Sequence, residues 1–267
     1  MGIDFVVYQQ LLHLAKRWQP APGGRTLMLG RQRFRPTGHY KFVFDRAWRR
    51  AGYEGSYKAV VQDDKFCEGL MRRLGFGEME SMDFSDYEGA TILHDLNKPV
   101  PEALHGQFDF IFDGGTIEHV FDVPQALRNA FLMLKPGGRF VSANGMNGWL
   151  AHGLYQFSPE LVWTFWTRGA GCKVHTCCGM TTSSDSQAER MIVDFADAAI
   201  WGRRLRLGYG RFPMGSRVTL YYEVERLPES SLGDAVLQSD YVAKWTRHAS
   251  AGAPQNDDEG GAEDGRD

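Results

Sequence analysis

Residues 108–138 read FDFIFDGGTIEHVFDVPQALRNAFLMLKPGG, and their pattern decides the fold. Phe108 to Phe112 is a short apolar run of the kind a strand buried on both faces requires, and it stops at Asp113, Gly114 and Gly115. After Glu118 and His119, the apolar residues Ala126, Leu127, Ala130, Phe131 and Leu134 recur at helical spacing. Pro124 stands near the start of this predicted helix and Lys135 in its last turn, where a cation complements the helix dipole. Pro136, Gly137 and Gly138 end it, and Arg139 to Ala143 reads as a second strand. Strand, turn, crossover helix and strand make one unit of a doubly wound, mostly parallel α/β sheet. In such sheets ligands bind in the crevice outside the carboxyl ends of the strands, where Asp113 to His119 fall.

Working outward, residues 5–18 place Val7, Leu11, Leu14, Ala15 and Trp18 on one helical face. Thr26 to Leu29 reads as a strand closing at Gly30, followed by Arg31, Gln32 and Arg33. Residues 35–62 exceed the minimal unit and read as an insertion holding a helix from about His39 to Arg50, either a lid on the substrate side or a plain extension. A helix opening at Asp64 carries Phe66, Leu70 and Leu74 and ends at Gly75. Short strands then end in Asp83 and, from Thr91 to His94, lead to Asp95 and Leu96. Ser158, Pro159 and Glu160 have the chemistry of a helix start, ahead of Trp163, Phe165 and Trp166. Val218 to Val224 reads as a late strand and residues 229–248 as a terminal helix. The acidic, glycine-rich residues 249–267 have the composition of a disordered tail.

A chain of 267 residues fits one such domain, here residues 1–248 with substrate-side elements at about 145–215. No apolar run approaches the roughly 20 residues of a membrane span, and the amphipathic first helix is not a signal peptide, so a cytoplasmic protein with no membrane partner is expected. The net charge of −3 does not favour a nucleic-acid partner. Local basic clusters at Arg31, Arg33 and Arg35 and at Arg203, Arg204 and Arg206 read as solvated surface or as an anion site. Cys172, His175, Cys177 and Cys178 have zinc-like residue types. Strand alternation, however, puts 172 and 178 on one face and 177 on the other, so buried thiols are expected.

The central segment resembles the fourth strand to fifth strand of class I S-adenosylmethionine-dependent methyltransferases, in the subset with Glu118-His119 after the strand and Leu134 to Gly138 closing the helix. The resemblance spans roughly residues 25–175 and implies a seven-stranded Rossmann-like methyltransferase sheet with an antiparallel edge strand, and S-adenosylmethionine as cofactor. It implies that Asp83 binds the ribose hydroxyls and that Asp95 and Leu96 meet the adenine. Asp113, Gly114 and Gly115 would form the loop beside the cofactor. The family's glycine-rich first turn is reduced to Gly30, and Arg31 or Gln32 then reaches the methionine carboxylate by side chain instead of backbone.

Transfer to a hydroxyl needs a base, and His119 is the first candidate, His152 the reserve, with Glu118 orienting an imidazole or holding the loop. Tyr155 and Gln156 precede a helix on the site side and are substrate candidates. Relatives that bind a divalent metal carry a further acid where this chain has Gly115, so no metal is expected. The reading is transfer of a methyl group to an oxygen of a small molecule such as a sugar or secondary metabolite. A degenerate, non-catalytic binding module and an NAD(P)-dependent oxidoreductase are the alternatives; the latter lacks the glycines that hold a pyrophosphate.

Overall fold

The computed structural model describes residues 2–36, 41–181, 192–201, 216–233 and 236–250. An eight-stranded sheet runs through it in the order β3-β2-β1-β4-β5-β8-β6-β7. The strands are β1 Thr26–Leu29, β2 Met79–Asp83, β3 Ile92–Leu93, β4 Phe108–Asp113, β5 Leu134–Asn147, β6 Lys173–Thr181, β7 Ile192–Asp194 and β8 Val218–Glu225. The first five are parallel, whereas β8 pairs antiparallel with both β5 and β6, and β7 antiparallel with β6. The doubly wound α/β sheet is thus as predicted, with two corrections. Among the described residues there are eight strands instead of seven, and Val218–Glu225 lies inside the sheet while the short Ile192–Asp194 takes the edge. Three residues give too weak a periodic signal to be read as a strand.

Two cores sandwich the sheet, because alternate residues of each buried strand point to opposite faces. Met28, Phe110 and Phe112 join one core, with α1 (Phe5–Arg17), α2 (Lys41–Arg50) and α3 (Glu68–Leu74). Leu27, Leu29 and Ile111 join the other, with α4 (Val123–Met133) and the π-helical Val162–Gly169. Asp4 caps α1 by accepting from the amides of Val6 and Val7, and Gly75 closes α3 in the left-handed conformation. Each fully buried large apolar side chain stabilises the sandwich by about 1.5–3 kcal/mol.

Local departures from the sequence reading have simple causes. Helix α4 ends at Met133, so Lys135 leaves the helix and pairs with Asp109 at 2.7 Å. Asp64 precedes α3, accepting from the amide of Phe66 and pairing with Arg31. A register shift between Val174 and Thr176 reverses the alternation of β6, so Cys172 and Cys177 face one core and Cys178 the other. All four cysteines are buried free thiols, and burial pushes those of Cys67, Cys172, Cys177 and Cys178 up. The terminal helix is Ser239–Ser250. The arginine cluster at 203–206, residues 37–40 of the insertion and the tail beyond 250 lie outside the described residues. Among the described residues no helix is long and apolar enough to cross a membrane.

Candidate active site

The sheet register builds the site. Leu29 lies beside Met82 and Asp113, and Asp113 beside Ser142, so β1, β2 and β4 end at one level, alongside Ser142 of the longer β5. Loops leaving that level carry the polar residues, and the strands beneath hold them rigidly.

Asp113 has no exposed surface and organises the loop after β4. Its Oδ1 accepts from the amide of Thr116 at 2.8 Å and of Gly115 at 3.3 Å, and its Oδ2 from Ser142 Oγ at 2.8 Å and Asn144 Nδ2 at 3.0 Å. Burial raises the Asp113 carboxyl, and these donors oppose that rise. Gly115, at φ 102°, gives the loop a left-handed turn that a side chain would resist.

Glu118 is 1% exposed. Asn144 Nδ2 donates to its Oε2 at 2.6 Å, so one amide bridges the Asp113 and Glu118 carboxyls. Burial, then the charge of Asp113, pushes Glu118 up to about 7. Among the described residues its Oε1 has no hydrogen-bond partner, and His152 Nε2 stands 3.9 Å from it. The His119 and His152 rings meet edge to face with centroids 5.2 Å apart. Desolvation lowers both imidazoles below their ordinary 6.5, so both are neutral at pH 7. Among the described residues Glu118, His119 and His152 each bring one ligand atom within 4.8 Å of the others, a set with the chemistry to hold a divalent cation.

The turn after β1 differs from the sequence reading. Arg31 donates to Glu68 at 2.6 Å, to Asp64 at 3.0 Å and to the Glu88 carbonyl at 3.0 Å, and its guanidinium sits 3.9 Å from the Phe66 ring centre. It braces the turn and has no free fork for a carboxylate. Gln32 is buried instead, its Nε2 donating to the Leu29 carbonyl at 2.8 Å and Thr116 Oγ1 at 3.1 Å. Gln32 Oε1 has no hydrogen-bond partner among the described residues and lies 2.6 Å from where a Cβ on Gly114 would stand. Gly30, at φ 63°, has Thr116 Oγ1 in the same relation at 2.5 Å. Side chains of Gln32 and Thr116 therefore fill the room left by the two glycines.

Asp83, at the end of β2, accepts from the amide of Phe84, whose ring is 76% exposed beside it. Asp95 accepts from the amide and side chain of Asn97, with Lys98 at 3.8 Å, and those bonds hold its carboxyl below the usual range. Leu96 is buried in the core rather than presented to a ring. Tyr155 Oη donates to the Phe121 carbonyl at 2.9 Å, and Gln156 Oε1 accepts from the Trp149 amide at 3.1 Å, so both substrate candidates tie down the loop after β5. The same loop touches the acid, because the amide of Leu154 donates to the Glu118 carbonyl at 2.8 Å. Ser142, Asn144, Thr116 and Trp149 were missed as site residues. A buried strand carrying Ser142 and Asn144 among apolar neighbours was the available signal, and Trp149, 5.0 Å from the His152 ring, had none.

Residues 65–142 match the family described as methyltransferase domain. No curated protein matches the chain in sequence. Among solved structures, the chain is similar to one from the complex between the Haloferax volcanii Trm112 methyltransferase activator and a methyltransferase, with 15% identity over 82% of this chain and 90% of that one, at a TM-score of 0.44. The YcgJ protein of Bacillus subtilis follows at 13% identity, 82% and 99% coverage and a TM-score of 0.42. The geranyl diphosphate C-methyltransferase of Streptomyces coelicolor, solved with Mg2+, geranyl diphosphate and S-adenosyl-L-homocysteine, is at 14%, 82% and 77%, and 0.40. At such scores these structures say nothing about the acceptor.

Proposed function

We propose, for a chain whose residues 65–142 match a methyltransferase domain, S-adenosylmethionine-dependent methyl transfer to an oxygen of a small-molecule acceptor. The observation that carries the oxygen is the unpartnered, buried Oε1 of Glu118 facing His152 Nε2 at 3.9 Å. A hydroxyl acceptor must lose its proton as the new bond forms, and a neutral imidazole backed by a carboxylate is suited to take it. His152 takes that proton, Glu118 steadies the resulting imidazolium, and His119 flanks the pair. This puts the reserve histidine of the sequence reading ahead of His119, because only His152 has an ion-pair contact with the acid among the described residues.

The cofactor supplies an electrophilic methyl group on sulfur. The residues fit its polar ends. Asp83 is the acid for the ribose hydroxyls, exposed Phe84 offers a face to the adenine, and Gln32 Oε1 is a buried acceptor lacking the donor that an α-ammonium provides. Asp95 is the polar candidate at the adenine end, and Gly115, at φ 102°, gives the loop after β4 its turn beside the cofactor. Exposed Phe121, Leu150 and Leu154 border the loop that carries His152, and support an acceptor with an apolar part.

Asp83→Ala tests the cofactor site without an acceptor. Loss of two charge-assisted hydrogen bonds should weaken S-adenosylhomocysteine binding by roughly 10–100-fold in calorimetric titration. Unchanged affinity would remove Asp83 from the site.

A further inference from the structure

The insertion encloses a second feature that methyl transfer does not use. A cavity of ≈ 510 Å³ is lined by Arg35, Pro36, Lys41, Tyr57, Lys58, Val61 and Lys65. Four of the seven are cations and none is acidic. This is what remains of the basic cluster at 31, 33 and 35 once the first two arginines are accounted for. Arg31 pairs with Glu68 and Asp64, and Arg33 with Glu88. Arg35, Lys41, Lys58 and Lys65 form no ion pair among the described residues, although the surrounding chain is rich in acids that pair elsewhere: Asp64 with Arg31, and Asp45 with Ser56 Oγ and the Tyr57 amide.

The cations are held by backbone. Lys41 is the first described residue of α2 and borders the same cavity. Lys58 stands in the 3-10 turn Tyr57–Val60, whose start is capped by Ser56. Lys65 has φ 65°, a left-handed backbone uncommon for a residue with a side chain. It is fixed there by its amide donating to the Gln62 carbonyl and its own carbonyl accepting from Phe34. Tyr57, fully packed against Phe34 and Phe44, supplies a rigid apolar floor. Four unpaired cations within one concavity repel one another, and an anion bound among them relieves that repulsion.

We propose that this cavity binds a phosphorylated small molecule carrying at least two negative charges. Its volume falls in the range of small-molecule sites, and its charge matches a diphosphate or a phosphate with a second anionic group. The site is independent of the methyl-transfer chemistry, so either reading can fail alone.

The test is calorimetric titration of the full chain with inorganic pyrophosphate and with inorganic phosphate, repeated on Lys41→Gln/Lys58→Gln. The proposal expects one pyrophosphate per chain, binding roughly tenfold more tightly than phosphate, weakening about tenfold in the double variant and weakening again at high salt. Thermal melting establishes that the variant is folded, and if it is not, Lys58→Gln alone is read with an expected loss of about threefold. No binding of pyrophosphate at millimolar concentration, or equal binding by the folded variant, overturns the proposal. A single-stranded oligonucleotide that binds through these lysines and is not displaced by pyrophosphate overturns it in favour of a nucleic-acid surface.

Discussion

Asp113→Ala is expected to destabilise the protein by about 3–5 kcal/mol, because it strips the acceptor from several buried donors at once. The amide of Thr116, Ser142 Oγ and Asn144 Nδ2 all point at this carboxylate from within 3.0 Å, in a site with no solvent to replace it. For a chain of this size the melting temperature should fall by about 6–20 °C. Asp113→Asn separates charge from hydrogen bonding. Burial raises the carboxyl, so its charge is already costly, and the amide retains one oxygen acceptor. A loss about half that of the alanine variant is expected. Equal losses would mean that the charge itself holds the loop, and a loss under about 1 kcal/mol for alanine would remove Asp113 as its organiser.

The second large effect is on turnover. His152→Gln should slow methyl transfer to a hydroxyl acceptor by roughly 10²–10⁴-fold, the usual contribution of a positioned base, while His119→Gln should cost about tenfold or less. The pH profile carries the same information. A base must be neutral to accept a proton, and desolvation lowers His152, so the rise of activity with pH should have its midpoint below the ordinary 6.5. Glu118 ionises near 7, and above that pH its carboxylate strengthens the imidazole, adding a second, shallower rise. Glu118→Gln should abolish that second rise and leave the first. If His119→Gln abolishes turnover and His152→Gln does not, the base assignment reverts to His119.

The fold was legible because β1 and β4 are short and mostly apolar and α4 has a clean helical stripe, signals generated by burial itself. Strand ends at Gly30, Asp83 and Asp113 followed, since a chain leaving a buried strand changes residue type abruptly. What the sequence could not show were pairings across long separations. Arg31 reads as a free cation until Glu68 and Asp64 are folded against it, and nothing in the order of residues shows that Thr116 and Gly114 enclose Gln32. The alternation of Cys172, Cys177 and Cys178 was misread for a different reason. One shifted residue near His175 inverts every side chain beyond it, and a bulge leaves no mark on composition. His152 was ranked behind His119 because its partner, Glu118, is 34 residues distant and meets it only through the loop that follows β5.

S-adenosylmethionine is expected to enter this site past a turn in which the Gln32 side chain stands in for the missing glycines. Calorimetric titration of the purified chain with S-adenosylhomocysteine, alongside NAD and NADP, tests it most directly. The expected result is binding of the homocysteine compound alone, with a dissociation constant on the order of micromolar. Binding of either nicotinamide nucleotide in its place, or of none of the three, would contradict it.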